Sequence, residues 1–232
     1  MAHREENYLA IIGDLVGSRK LEPKERSDVQ ETFQRSLDKV NQDFRDEIAS
    51  LFLITLGDET RGILGRPEHC YDILREMQME LAPTEIVFGL GYGPMSTELG
   101  EYAVGADGPA FHMARQALTE AKTERKAYGK AILREVLLHS NVSLRDMIIN
   151  GMFLSLAVLK SSWTAKQAAI LSRLRQGQSP SEISESLDVP LSNISRTIDA
   201  AHFREFEIQE KSLQEVFQQF ATFGVLDLSK KR

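Results

Sequence analysis

The sequence predicts a mixed α/β (α+β) fold of the ferredoxin-like kind, followed by an all-α unit with a helix-turn-helix arrangement. Over residues 1–138, apolar strand-like segments and amphipathic helical segments follow one another as β-α-β-β-α-β, with a further helix and strand. After residue 161 the pattern changes to short helical segments that begin at capping residues. We therefore expect a first domain over 1–138, an apolar helical connector over 139–161 and a helix-turn-helix domain over 162–232.

The bulk composition is that of a globular protein, with 42% hydrophobic and 27% charged residues. No apolar run approaches the ~20 residues that span a bilayer. The polar first seven residues are unlike a secretory signal, and the single Cys70 fits a reducing compartment. We therefore expect a cytoplasmic protein with no membrane contact. The net charge of −6 restricts any nucleic-acid binding to a local surface.

The first strand is predicted over residues 8–14, where an apolar run ends in Gly13 and Asp14. A loop over 17–23 follows, and it contains Gly17, Ser18, Arg19 and Lys20. An amphipathic helix is then predicted over 24–49, because apolar residues recur at spacings of three and four. Its apolar stripe consists of Val29, Phe33, Leu37, Val40 and Phe44.

A hairpin is predicted next, with strands over 51–55 and 60–64 joined by the turn Gly57–Glu59. Asp58 in this turn and Asp14 at the end of the first strand are both acids that follow an apolar strand. If the two strands are neighbours in one sheet, these carboxylates would suit Mg²⁺, which takes one or two carboxylates together with substrate phosphates. The alternative is that each acid only caps a turn.

The remaining elements of the first domain are a helix over 67–81, a strand over 85–92, a helix over 107–125 and a last segment over 130–138. That segment is either a strand or the start of the connector. The glycines at 89, 91 and 93 indicate close approach of another backbone or of a ligand. Arg115, two turns into its helix, would either bind a phosphate or form a surface ion pair. We expect the helices to cover one face of the sheet.

These residues carry a resemblance to a known family. The segments Asp14–Arg19, Gly57–Glu59 and Asp107–Phe111, together with Ala114 and Arg115, resemble the pattern of the bacterial SatD family. More distantly, the order of motifs is similar to that of the class III nucleotidyl cyclases, which have a palm-like domain.

The cyclase resemblance implies roles for individual residues. It implies that Asp14 and Asp58 hold divalent cations over a nucleoside triphosphate, and that Arg115 is a catalytic residue that steadies the transition state. The candidate nucleotide-binding residues are Gly17, Ser18, Arg19, Gly57 and Glu59.

Two departures from the cyclase pattern bear on activity. Phe111 stands where the cyclases carry an Asn, and Ile54 stands where they carry a purine-selecting Lys. Because two-metal phosphoryl chemistry depends first on the carboxylates, these losses weaken cyclisation more than they weaken metal–nucleotide binding. These two departures from the cyclase pattern therefore favour nucleotide binding or another non-cyclase role.

The connector is strongly apolar over 146–159, but it is too short and too interrupted to span a membrane. A helix that is apolar nearly all round is expected between domains or at a dimer interface. A second amphipathic helix is predicted over 203–228, and its many Phe residues predict a homodimer contact.

Between these two helices lies the helix-turn-helix prediction. Thr164 with Gln167 has capping-box spacing, a second helix is expected to start at Ser179-Pro180, and a third at Leu191 or Ser192. The segment 176–198 resembles the helix-turn-helix of response regulators and sigma-factor-type proteins. The resemblance implies that DNA is contacted by Ser192, Asn193, Ser195 and Arg196.

The net charge of this unit is evidence against DNA binding, because four basic residues over 161–200 are balanced by four acidic ones. The alternative is a small helical bundle that binds a protein or braces an oligomer.

Our leading hypothesis is a cytoplasmic regulator. It binds a nucleotide with Mg²⁺ in its first domain and DNA through its helix-turn-helix domain. The alternative is a metal-dependent nucleotide-processing enzyme, cyclase-like or phosphotransferring, whose helical tail serves oligomerisation. A scaffold without either activity is the third possibility.

Overall fold

A five-stranded sheet with helices on both faces forms the first part of the chain. The computed structural model describes residues 6–55, 57–128 and 135–223. The strands are β1 (Asn7–Leu15), β2 (Ile48–Ile54), β3 (Glu59–Leu64), β4 (Ile86–Pro94) and β5 (Val136–Ser140). Their order in the sheet is β2-β3-β1-β4-β5, with β5 parallel to β4 and the other neighbours antiparallel. The first four strands therefore have the predicted ferredoxin-like order.

Eight α-helices accompany the strands in the described residues. They are α1 (Pro23–Asp43), α2 (Cys70–Leu81), α3 (Pro109–Tyr128), α4 (Ser143–Ser161), α5 (Ala165–Arg175), α6 (Pro180–Leu187), α7 (Leu191–Ala200) and α8 (Phe203–Gln218). A short 3₁₀ turn, Ser18–Lys20, follows β1. The mixed α/β class and the order of elements predicted from the sequence are confirmed.

The helices cover both faces of the sheet, so the expectation of one covered face is wrong. Along β1, Leu9 and Ile11 point into a core shared with α1, α2, α4 and α8, whereas Ala10 and Ile12 point into a second core with α3. Both sets of side chains are buried. A strand buried on both faces reads as the continuous apolar run seen in the sequence.

Several predicted boundaries shift for identifiable reasons. Helix α1 ends at Asp43 rather than near residue 49, and the Asn41 side chain exchanges two 2.8 Å hydrogen bonds with the backbone of Phe52, which ties the helix end to β2. Helix α2 begins at Cys70 rather than at Pro67. Helix α8 ends at Gln218. The part of its predicted extension over 224–228 and the segment 130–134 lie outside the described residues.

Helix α3 lies unusually close to β4. A Cβ atom built on Gly91 would stand 2.0 Å from the carbonyl oxygen of Ala110, and one built on Gly89 would stand 2.2 Å from that of Ala114. No side chain fits in these gaps. The glycines of β4 therefore serve the approach of a helix backbone, which was one of the two alternatives the sequence left open.

The C-terminal helices continue the core of the sheet. Helix α8 buries its aromatic side chains against α2 and α4 of the same chain; they are Phe203, Phe206 and Phe217, and Phe220 follows just beyond the helix. Four of the five Phe residues that predicted a homodimer contact are therefore already covered within the chain, and Phe223 is partly exposed. A dimer, if it forms, needs a different surface.

A buried polar junction joins three helices from distant parts of the sequence. The Glu210 carboxylate on α8 accepts hydrogen bonds from the Tyr71 hydroxyl on α2 and from the Arg175 guanidinium on α5. Burial, followed by the neighbouring Glu210 charge, raises the pKa of Tyr71 far above its ordinary value. Tyr71 therefore remains a neutral donor that fixes α8 to α2. We call these three side chains the Tyr71–Glu210–Arg175 junction.

The close approach of α3 and β4 predicts a specific sensitivity. Gly91→Ala should lower the free energy of unfolding by about 1–3 kcal/mol, because the added methyl group forces the helix and strand apart. Urea denaturation followed by circular dichroism measures this change. Gly65→Ala is the matched control, since its Cβ would stand 3.6 Å from the nearest side chain, at ordinary contact distance. Equal stability of the two variants would contradict the prediction.

Candidate functional site

A cavity of ≈ 590 Å³ lies where β1 ends, between the turn after this strand and the second half of α3. Its lining consists of Asp14, Leu15, Val16, Gly17, Ser18, Arg19, Lys20, Asp58, Val87, Lys122, Arg125 and Lys126. We call it the β1 cavity. Its volume falls in the range of small-molecule sites.

The turn after β1 shapes one wall of this cavity. Gly17 has φ of 76°, a left-handed conformation that favours glycine. It starts the 3₁₀ turn in which the Lys20 amide donates to the Gly17 carbonyl at 2.9 Å. The Ser18 hydroxyl is buried and donates to Asp58 Oδ2 at 2.8 Å. The turn is thus anchored to the β2–β3 hairpin, and Arg19 and Lys20 are left at the surface.

Asp14 and Asp58 face the same cavity. Asp14 pairs in register with Glu59 across β1 and β3, and the Leu15 amide donates to the Asp58 carbonyl at 2.9 Å. The structure therefore brings together the two acids that the sequence singled out. Each one already has a cationic neighbour: Lys122 Nζ lies 2.8 Å from Asp14 Oδ2, and Arg19 Nε lies 3.5 Å from Asp58 Oδ2.

The charges around the β1 cavity favour an anionic ligand. Five basic side chains line it against two carboxylates. Arg125 is also paired with Glu85 just outside the lining, whereas Lys20 and Lys126 are exposed. In the described part of the chain, no three His, Cys, Asp or Glu side chains are grouped as a metal site would require. The lining of the cavity is therefore net positive.

Arg115 and Glu59 bind each other instead of facing the cavity. The guanidinium donates to both carboxylate oxygens, at 2.6 and 2.7 Å, and Arg61 Nε adds a third contact at 3.1 Å. Neither Arg115 nor Glu59 lines the β1 cavity. Arg115 thus forms the ion pair that the sequence left open as an alternative to phosphate binding.

This ion pair changes the titration of Glu59. Burial alone would raise the pKa of the carboxyl, but hydrogen bonds and charges from Arg115 and Arg61 outweigh burial and bring the pKa below its ordinary value of 4.5. The hydrogen bond to Glu59 likewise raises the pKa of Arg115. The bidentate pair therefore joins α3 to the start of β3.

Gly57 lies apart from the cavity. It has φ of 66° in the turn between β2 and β3, and its carbonyl accepts a hydrogen bond from the Gln30 side chain at 3.2 Å. It opens onto a shallow groove beside α1, together with Ser27 and Gln30. Gly57 is therefore explained by the turn conformation.

Sequence reasoning missed the basic residues that α3 supplies. Lys122, Arg125 and Lys126 line the β1 cavity, and their signal was the cluster of basic residues at spacings of three and four near the end of this helix. The cluster looked like an ordinary solvated helix face, because nothing in the sequence shows that α3 ends beside Asp14.

The three-helix arrangement after α4 follows the predicted helix starts. Thr164 and Gln167 form a capping box, which confirms the predicted cap, and Ser179 and Glu182 form a second one at the predicted start of the next helix. Ile170, Ile183 and Ile194 form a small core where α5, α6 and α7 meet.

The residues predicted to contact DNA lie at the surface of α7. Ser192, Asn193, Ser195 and Arg196 are exposed, and the Ser195 hydroxyl donates to the Leu191 carbonyl of its own helix at 3.2 Å. Two of the four basic residues of the unit are engaged within the chain, since Arg173 donates to Ser186 and Arg175 to Glu210. DNA binding stays a prediction.

The fold is that of a ferredoxin-like α/β protein, with a cavity lined by five basic side chains and two carboxylates at the end of its first strand. The sequence matches the SatD family over residues 8–218, and the chain belongs to that family.

Two solved structures show a low similarity. The guanylyl cyclase Cya2 is 16% identical with a TM-score of 0.36, and the match covers 57% of this chain and 83% of that one. The catalytic core of a rhodopsin-guanylyl cyclase with converted specificity, in complex with ATPαS, is 14% identical with a TM-score of 0.36, covering 56% and 84%. No curated protein matches.

Among the described helices, none combines the length and apolarity that crossing a membrane requires.

The ion pair of Glu59 predicts a pH-dependent stability. Glu59→Gln should lower the free energy of unfolding by about 1–3 kcal/mol at pH 7, because charged hydrogen bonds to Arg115 and Arg61 are lost. Since the pKa of Glu59 is depressed in the folded state, this contribution is present above pH 4.5 and is lost as pH falls below it. Denaturant titrations at several pH values should show the two proteins converging in acid.

The control for this experiment is Glu98→Gln, a change of an exposed glutamate. It should alter stability by less than about 0.5 kcal/mol. A difference between wild type and Glu59→Gln that stays constant down to pH 3 would exclude the ion pair as its source.

Proposed function

We propose that this protein binds a nucleotide through its phosphates in the β1 cavity. The observation that supports this proposal best is the excess of basic side chains, five against two carboxylates, around a cavity of ≈ 590 Å³. Lys20 and Lys126 supply exposed positive charge from opposite walls, the turn after β1 and the end of α3. Phosphate groups are ligands that such flexible ammonium groups neutralise.

An apolar part of the wall distinguishes a nucleotide from free phosphate. Val16 is 38% exposed and Val87 is buried, and both line the cavity beside the charged groups. Ligand sites typically combine apolar walls with a few charged groups that fix orientation. A sugar or base would contact Val16 while the phosphates contact the basic side chains.

Magnesium is proposed as a companion of the phosphates. Asp14 and Asp58 offer hard oxygen ligands at one cavity, which fits the one or two carboxylates that Mg²⁺ takes beside phosphate oxygens. These two residues would hold the ion. A bound Mg²⁺ would offset the phosphate charge near the two carboxylates.

Binding is favoured over catalysis by the position of Arg115. Its guanidinium is held by Glu59 and does not line the cavity, so it is not available to steady a transition state. A nucleotide-processing enzyme therefore remains the second choice. Turnover of the bound nucleotide, abolished by Asp14→Asn, would reverse this order.

The nucleotide proposal predicts saturable binding that depends on the cavity charges. Calorimetric titration with ATP, GTP and inorganic triphosphate, each with Mg²⁺, should show heat for at least one nucleotide. Lys126→Glu should weaken this affinity about tenfold, or ~1.4 kcal/mol. Lys166→Glu, the same change at an exposed position on α5, should leave it unaltered. Binding that both variants weaken equally would refute the site.

A second variant separates the role of the metal from that of charge. Asp14→Asn should weaken nucleotide binding in the presence of Mg²⁺, because an ion ligand is lost. In the presence of a chelator the same variant should bind more tightly than wild type, since a repelling charge is removed and Lys122 is released. Tighter binding under both conditions would exclude Asp14 as a magnesium ligand.

DNA binding by α7 is a separate candidate function, which does not depend on the β1 cavity. It is supported by the exposure of Asn193 and Arg196 on one short helix whose Ile194 is buried against α5 and α6. Asn and Arg are the side chains that pair bidentately with adenine and guanine edges in a major groove. The unit lacks the excess of basic residues that most DNA-binding surfaces have.

The DNA candidate predicts losses confined to α7. In gel-shift assays on genomic fragments at low and moderate salt, Arg196→Ala and Asn193→Ala should each cost about 1–3 kcal/mol of specific affinity. Lys211→Ala, at an exposed position on α8, is the control and should have little effect. Absence of any shifted band at low salt would eliminate this function.

A further inference from the structure

Lys122 neutralises the acid at the end of β1. Its Nζ atom donates to Asp14 Oδ2 at 2.8 Å, a charge-assisted hydrogen bond. Both side chains line the β1 cavity. The two residues are 108 positions apart in the sequence. The contact therefore comes from the packing of α3 against the sheet and not from neighbouring turns of one helix.

Asp14 is the fixed member of this pair. Its backbone is paired in register with Glu59 on one side and with Val87 on the other. Its side chain is 17% exposed, whereas that of Lys122 is 49% exposed. A lysine ammonium is carried on a flexible four-carbon stem. Lys122 can therefore leave the carboxylate by rotating its own side chain, while the carboxylate stays in place.

The ammonium group occupies the place that a metal ion at Asp14 would need. A carboxylate oxygen suits Mg²⁺, and the bond between them is about 2.0–2.1 Å long. An ion bound to Oδ2 would thus lie on the same oxygen that the Lys122 ammonium contacts. Two cations so close together repel each other strongly. Lys122 and a metal ion therefore compete for Asp14.

Asp58, the other acid of the cavity, is held in a different way. The buried Ser18 hydroxyl donates to its Oδ2 at 2.8 Å, and a neutral hydroxyl orients a carboxylate without cancelling its charge. Arg19 Nε lies farther away, at 3.5 Å, on a side chain that is 83% exposed, so water screens this pair. Of the two acids, Asp14 has the closer and less exposed counter-ion.

A phosphate group changes the competition between Lys122 and the metal ion. A free ion that took Asp14 would leave the ammonium without its carboxylate, in a cavity that contains four further basic side chains. Phosphate oxygens offer the ammonium an equivalent acceptor. An ion that arrives with a phosphate ligand can therefore replace Lys122 at lower cost. Each of the two ligands then raises the affinity for the other, as linkage requires.

We propose that Lys122 makes the β1 cavity selective for a metal–nucleotide complex over a free divalent cation. Lys122 is the exchangeable counter-ion of Asp14. It keeps the free cation away from the carboxylate, and it moves to a phosphate oxygen when the cation arrives with a nucleotide. The exchange rests on the proposed function, whereas the exclusion of the free cation rests on the contact between Lys122 and Asp14 alone.

A titration of the nucleotide-free chain with Mn²⁺ tests the exclusion. Mn²⁺ takes the same oxygen ligands as Mg²⁺, and electron paramagnetic resonance measures the unbound ion. Lys122→Met keeps a long unbranched side chain without the charge. It should bind Mn²⁺ about tenfold more tightly than wild type, because Asp14 loses its counter-ion.

The comparison variant is Lys126→Met, which removes the same charge from the same cavity wall. It should tighten Mn²⁺ binding by less than about threefold, since Asp14 keeps Lys122. Equal tightening by the two variants would show that only the total charge of the cavity matters, and would overturn the proposal. So would a Lys122→Met chain that binds Mn²⁺ no better than wild type.

A double variant locates the ion. Lys122→Met combined with Asp14→Asn should lose the gain in Mn²⁺ affinity, because the released carboxylate is absent. A gain that persists would place the ion elsewhere and refute the role of Lys122. Circular dichroism shows whether each variant is folded, and Lys122→Gln repeats the test with a polar side chain.

The exchange is tested by the factor by which Mg²⁺ raises nucleotide affinity in calorimetric titrations with and without a chelator. In Lys122→Met this factor should fall about fivefold, since no ammonium group is released to the phosphates. An unchanged factor would exclude the exchange. If wild type binds no nucleotide, the proposed function and the exchange fail together, and the Mn²⁺ titrations still decide whether Lys122 excludes the free cation.

Discussion

The close contact between α3 and β4 is the constraint on which the candidate site depends. At Gly89 and Gly91 the helix backbone lies where a side chain would otherwise be. With the helix this close, its second half reaches past β4 to the end of β1, and its basic residues meet Asp14. The same helix contacts the start of β3 through the Arg115–Glu59 pair. A helix held farther from the sheet would separate Lys122 from Asp14 and Arg115 from Glu59.

The order of strands and helices along the chain was predictable because it follows from local sequence patterns. Apolar runs, helical periodicity and the glycine-containing hairpin turn are all readable over a few residues. The covering of both sheet faces was not predictable in this way. Periodicity shows that α8 has an apolar face, but it does not show which surface covers it. The Phe residues of that helix suggested contact with a second copy of the chain. Instead, most of them are buried in the core that α8 shares with α2 and α4 of the same chain.

The sequence predicted the candidate-site residues that follow the strands, but not those that α3 supplies. Asp14 and Asp58 were found because each follows an apolar strand, and the sheet brings them to one cavity. Their cationic neighbours depend on distant contacts. Lys122 is 108 residues from Asp14 in sequence, and Arg115 is 56 residues from Glu59. A single sequence contains no local signal for such pairs, so the sequence could not decide whether Arg115 binds a phosphate or a carboxylate.

The Tyr71–Glu210–Arg175 junction has a consequence for how the chain is made. Tyr71 and its acceptor are separated by 139 residues, and the aromatic residues that complete the same core follow Glu210 or lie just before it. During synthesis the sheet therefore leaves the ribosome with part of one apolar face still uncovered, because α4 and α8 follow it in the chain. That face closes only when the last helix emerges, so early release or a premature stop codon would yield a chain exposed to aggregation and to chaperone capture.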